Sequence, residues 1–144
     1  ASVHSYLPST KILYKLDELS ANAERIRLYR ERKKKCEEFR SSLPTLARQS
    51  KQEQEAALWK LLLYLQGCVF LTAKGLKFTY KIKGGEMFVN RKSKSITQAT
   101  VFMAFRKAME LGGDVAGPKR LGTFGASYLY PIFVKLGVIR GDAE

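Results

Sequence analysis

From residue 12 the apolar positions Ile12, Leu16, Leu19, Ala23 and Ile26 follow at steps of four, three, four and three, the spacing that lines one face of an α-helix. A long first helix is expected. Its apolar face drifts, because the same register meets Arg30 and Lys33 while Ile26, Tyr29, Cys36 and Phe39 continue on a neighbouring stripe. The run RERKKK, Arg30 to Lys35, has Glu31, Glu37 and Glu38 close by and reads as a solvated helix face with ion-pair partners. In SSLPTLARQ, Pro44 disfavours helix at the residue before it and removes a backbone donor, so a turn or a helix start is expected there. Ser50 followed by Glu53 has the capping-box spacing and opens a second helix, AALWKLLLYLQG, apolar nearly all round and stopped by Gly67. The two helices are expected to form an antiparallel hairpin over residues 1–67. Cover for the second would come from this chain or from a second copy.

The period then changes from helical to alternating. In CVFLTAKGLKFTYKIKGGEMFVNR, Lys74-Gly75 and Gly84-Gly85 each separate strand-like runs, which predicts three antiparallel strands joined by two tight turns. The middle run sets Leu76, Phe78, Tyr80 and Ile82 on one face and Lys77, Thr79, Lys81 and Lys83 on the other, one face apolar and one basic. The third run leads into NRKSKS and adds Arg91, Lys92 and Lys94 at the edge of that basic surface. Ser95 and Gln98 repeat the capping-box spacing ahead of a helix with Val101, Phe102, Phe105, Ala108 and Met109 on one stripe, ended by Gly112-Gly113. A turn-rich link with a short helical piece near Pro118 leads to a last helix over SYLYPIFVKLG, or over its latter half if Pro131 is the first helical residue. The expectation is a single α+β domain, 1–144: a helical hairpin, then a basic three-stranded sheet with a C-terminal helical segment over 68–144.

Composition narrows the function classes. The chain of 144 residues is 45% hydrophobic, enough to bury a core, and has no apolar run of transmembrane length. The first ten residues show neither a basic leader nor a long apolar stretch, so a cytoplasmic, soluble protein is expected. Cys36 and Cys68 form no CxxC pair, and the one histidine, His4, leaves a metal site or a Ser-His-Asp triad little to work with. The loop GPKRLGT has two glycines at phosphate-loop spacing but lacks the Lys-Ser/Thr that must follow them. In the basic half only Glu86, Glu110 and Asp114 could hold Mg²⁺, and they fall on separate elements. No catalytic role and no cofactor are expected.

Charge is the strongest global signal. The chain carries 26 Lys and Arg against 13 Asp and Glu, a net +13 with pI ≈ 9.9. Residues 74–140 alone carry +10, a field that concentrates polyanions through counterion release.

From Ser95 to Arg140 the order is helix, glycine-rich turn, short basic helix (GPKRLG), small-residue turn (TFGAS), helix, and the ending KLGVIR. This order resembles a winged helix-turn-helix DNA-binding domain over the last third of the chain. The resemblance implies backbone phosphate contacts for Lys119 and Arg120 and a further one for Lys135. It puts Ser127, Tyr128 and Tyr130 in the groove at the start of the recognition helix, with Leu129, Phe133 and Leu136 facing the core. The basic strand face, Lys77, Lys81 and Lys83, is an independent phosphate-binding candidate. A faint echo of the RNA-recognition strand motif in KGLKFTY leaves RNA as an alternative. The expected function is non-catalytic nucleic-acid binding, double-stranded DNA ahead of RNA, by a regulator or DNA-processing accessory factor. The alternative is a protein-interaction or homo-oligomeric assembly module built on surplus apolar helix surface.

Overall fold

The computed structural model describes residues 6–141, with side chains from Asp17 onward; His4 and the side chains of Ile12 and Leu16 are outside what it describes. The elements run α1 (Tyr6–Leu46), α2 (Lys51–Tyr64), β1 (Phe70–Leu71), β2 (Lys77–Phe78), β3 (Tyr80–Lys83), β4 (Glu86–Val89), β5 (Ile96–Thr97), α3 (Gln98–Glu110), a 3-10 helix (Pro118–Leu121) and α4 (Ala126–Leu136). The class is α+β. Contacts divide the chain into Ala1–Lys34 and Lys35–Glu144.

From Tyr6 the first unit is helix, and its described side chains are exposed apart from Leu28 and Arg32, which are half-buried. Leu19 and Ile26, on the anticipated apolar stripe, are 56% and 50% exposed. Arg27 pairs with Glu24 and, at 3.0 Å, with Glu31, as one-turn spacing on a helix surface allows.

In the second unit the same helix buries Cys36, Phe39 and Leu46, and Pro44 does not break it. Proline costs a helix its bond to the carbonyl four residues back, here Arg40, and crowds that carbonyl, but two residues from the end of α1 little helix is left to be disrupted. Burial pushes the Cys36 thiol above its ordinary range, partly offset by the nearby Lys135 ammonium. Ser50 caps α2 as its spacing predicts: its hydroxyl accepts from the Glu53 amide at 3.1 Å and the Glu53 carboxylate accepts from the Ser50 amide. α2 contributes Leu58, Leu61 and Leu62 to the core.

The α2 end is tied to β3 by polar groups. Tyr80, 1% exposed, donates its hydroxyl to the Leu62 carbonyl at 2.5 Å, the Gln66 side-chain oxygen accepts from the Ile82 amide at 2.7 Å, and the Gly67 amide donates to the Tyr80 carbonyl. Carbonyls at a helix C-terminus run out of intrahelical donors, and the tyrosine supplies one inside the core.

A three-stranded antiparallel sheet is present, with a membership that differs from expectation. The middle run splits at Thr79: β2 pairs with β1, whereas β3 pairs with β4, and β4 with β5. Thr79 exchanges its amide and carbonyl with Asn90, whose side-chain oxygen takes the amide at 2.9 Å. Both tight turns lie where expected, with Gly75, Gly84 and Gly85 at positive φ. Alternation holds at Phe78 and Tyr80, both buried, but Leu76 is 45% exposed, since it precedes the strand pairing.

The helix after the sheet starts two residues later than its Ser95–Gln98 spacing predicts. Ile96 is drawn into the sheet opposite Met87, so Thr97 caps α3 by accepting from the Thr100 amide at 3.2 Å. Ser95 instead donates to the Glu86 carboxylate. α4 packs on α3, the 3-10 helix and β1, and runs through Pro131 from Ala126, the longer of the two extents anticipated.

Tyr80→Phe leaves the Leu62 carbonyl buried without its donor, and an unfolding midpoint in urea should report a loss of about 1–3 kcal/mol. Because the folded-state pKa of Cys36 is raised, the burial of its neutral thiol favours folding below the unfolded-state thiol pKa, and this is lost as pH rises toward the folded one. Cys36→Ala should therefore show a shallower alkaline decline in stability than the parent, read from melts on either side of about pH 9.

Candidate nucleic-acid interface

The loop between β4 and β5 carries Arg91, Lys92 and Lys94, all exposed. Its start is held by the exchange between Asn90 and Thr79 and by the Lys92 amide on the Val89 carbonyl at 3.0 Å, its end by Ser95 on Glu86. A basic loop of this kind is self-repelling unless its two ends are fixed, and here both are.

Lys119 and Arg120 are exposed on the 3-10 helix, which Pro118 opens and the buried Leu121 anchors. Gly122, at φ 66, ends it in the left-handed conformation that glycine adopts without strain. The next turn brings the chain back to the sheet. Gly125, at φ 76, lies so close to Ile96 that a Cβ there would fall 2.7 Å from its Cγ1. That approach sets the 122–125 turn against the end of the basic loop.

The side chain presented by the turn is Phe124, 39% exposed. Lys92 Nζ lies 4.5 Å and Lys94 Nζ 5.1 Å from its ring centroid, a double cation–π arrangement. Gly125 also leaves the N-terminus of α4 without a side-chain cap, so the positive end of that helix adds to the local field. Lys92, Lys94 and Phe124 thus come together from segments about thirty residues apart in sequence, next in the chain to Lys119 and Arg120.

The remaining anticipated residues divide. Lys81 and Lys83 are exposed on β3, opposite Phe88 and Glu86 across the ladder. Lys77 is exposed in the other ladder, opposite Leu71, so the basic row does not run along one continuous strand. Ser127 is exposed at the start of α4. Tyr128 and Tyr130 turn toward the protein: Tyr128 meets Phe78 edge-on at 5.0 Å, and the Tyr130 hydroxyl donates to the Val115 carbonyl at 3.3 Å. Lys135 is half-buried with its ammonium 5.3 Å from the Phe70 ring centroid, and its carbonyl accepts from Arg40 at 3.0 Å. These three half-buried side chains make contacts within the fold. Leu129, Phe133 and Leu136 are buried, as the amphipathic spacing of the helix requires.

Phe124 is the residue that sequence reasoning passed over. Its signal was its company: an aromatic side chain among Thr123, Gly125, Ala126 and Ser127, where small residues leave a large one little to pack against.

Elsewhere, α2 and α3 border an open groove of ≈ 430 Å³ lined by Trp59, Leu63 and Phe102, with Trp59 edge-on to Phe102 at 5.7 Å. Arg106 of α3 pairs with Glu55 of α2 beside it. Among the described residues no three His, Cys, Asp or Glu side chains converge as metal ligands, and no helix is long and apolar enough to cross a membrane. No family model, curated protein or solved structure matches this chain.

Gly125→Ala meets both the positive φ and Ile96, and should cost about 1–3 kcal/mol of folding stability. In an Ile96→Ala background the same change should cost less, because only the backbone strain is left. A thermal-denaturation double-mutant cycle measures that coupling.

Proposed function

We propose that this chain binds double-stranded DNA without catalysing a reaction, through a basic surface centred on the β4–β5 loop and the turn before α4. The observation that carries this reading is the convergence of Lys92 and Lys94 on Phe124, in the turn following the 3-10 helix that bears Lys119 and Arg120. Phosphate oxygens attract ammonium and guanidinium groups by charge-assisted bonds, and each contact releases condensed counterions from the duplex. Arg91 extends the same loop, and Lys77, Lys81 and Lys83 add exposed positive charge on the two sheets. The order α3, 3-10 helix, turn, α4 supports the likeness to a helix-turn-helix, with one difference in roles. Tyr128 and Tyr130 are occupied by the fold, so affinity rests on phosphate contacts, and Ser127 is left as the exposed polar side chain at the start of α4. Phosphate contacts position a protein on DNA and carry little sequence information. The binding is accordingly of low sequence specificity.

A second reading, a protein-assembly module, is favoured by the α2–α3 groove and by the exposure of Leu63 at 43% beside it. It predicts self-association or partner capture that is indifferent to the loop lysines.

Fluorescence anisotropy with a labelled duplex, titrated across salt, separates the two. Affinity should fall steeply with salt, and Lys92→Ala with Lys94→Ala should lower the log–log slope by about 2, near 1 for each lost phosphate contact. Absence of binding at about 50 mM salt overturns the DNA reading. A stable dimer by light scattering in that same preparation would favour the assembly module.

A further inference from the structure

We propose that Phe124 is a base-stacking residue, so that the chain prefers duplex DNA containing an unpaired base to fully paired duplex. The proposal rests on the DNA reading above and goes further, naming the feature of the DNA that the site takes.

A phenylalanine side chain gains stability by burial, yet Phe124 is 39% exposed and stands apart from the core cluster that holds Phe70, Phe78, Phe105 and Phe133. Phe88 is exposed as well, at 43%, and what marks Phe124 is the pair of lysine ammonium groups on its ring. Its neighbours in the chain, Thr123 and Gly125, are small, so the groups that cover the ring are the two lysines. The turn beneath it is pinned on both sides, by the buried Leu121 before it and by the Gly125–Ile96 contact after it. The ring therefore sits on a fixed support.

Its partners are the two ammonium groups of Lys92 and Lys94. An exposed cation–π contact is weaker than a hydrogen bond between two charged groups. An arriving phosphate thus draws the lysines off the ring by exchanging a weaker partner for a stronger one. The same event that neutralises the backbone uncovers an aromatic face a short reach from that backbone.

What occupies the face must itself be flat and apolar on one side. In paired duplex the bases stack on one another and present only their edges in the grooves. A bulged or mispaired base has already given up part of its stacking, so its transfer onto an aromatic side chain costs least. Stacking on such a platform is insensitive to base identity, in keeping with a surface that otherwise makes phosphate contacts.

The test uses the full chain and two duplexes of equal length, one fully paired and one with a single bulged 2-aminopurine, whose emission responds to stacking. The wild-type chain should bind the bulged duplex about tenfold more tightly, with a change in 2-aminopurine emission on binding. Phe124→Ala should bind the two duplexes equally, losing the preference for the bulged one, and leave the emission unchanged. Phe124→Leu keeps the apolar bulk without the aromatic face and should behave like the alanine variant. Equal wild-type affinity for the two duplexes, or a preference retained in both variants, overturns the stacking role while leaving DNA binding intact. Failure to bind either duplex removes the DNA reading and the stacking role with it.

Discussion

Everything proposed for the basic surface depends on one close approach, the seating of Ile96 against the backbone of Gly125. Ile96 is fully buried and belongs to β5, so the sheet fixes it. Gly125 precedes α4, whose buried face fixes it in turn. Where they meet, only the Ile96 side chain lies between strand and turn, and it fills the place a side chain at 125 would take. The exposed consequence is that a loop of lysines and a turn carrying a phenylalanine face each other. Their meeting is enforced by apolar packing, because like charges would drive the loop apart.

A second set of contacts keeps the sheet in place beneath. The phenolic hydroxyl of Tyr80 and the amide of Gln66 bond α2 to β3 at a depth where water is absent or scarce. Buried polar groups are costly alone and cheap when paired, so such bonds fix one register of strand against helix rather than adding much net stability. With Tyr80, Met87 and Val89 facing inward, strict alternation sends Lys81, Lys83 and Phe88 outward. The basic sheet face follows from the core, residue by residue.

Much of this was legible from spacing alone. The Ser50–Glu53 capping box, the turns at Gly75 and Gly84-Gly85, the amphipathic α3 and the buried stripe of α4 are local signals, set by period and by backbone geometry. The misplaced features are those where a distant partner outbid a local one. Ser95 lost the α3 cap because Ile96 pairs with Met87, and the long middle strand broke because Thr79 exchanges both backbone groups with Asn90. The helix-turn-helix likeness implies a groove-facing Tyr128 and Tyr130, and in the fold these half-buried side chains also meet Phe78 and the Val115 carbonyl. Phe124 had no period to mark it. A site that joins a loop to a turn across thirty residues of sequence leaves no local pattern, only the suitability of each part.

The end of α4 carries a further bond of this kind. Gly137, at φ 83, closes the helix directly beneath Arg40 of α1, so that a Cβ at 137 would come within 2.7 Å of the arginine Cγ, while the Arg40 guanidinium holds the Lys135 carbonyl. The glycine cannot change freely while the arginine stays. A side chain at 137 would therefore meet the arginine stem as well as the backbone strain of its positive φ, so the close of α4 and the surface of α1 are one packing problem.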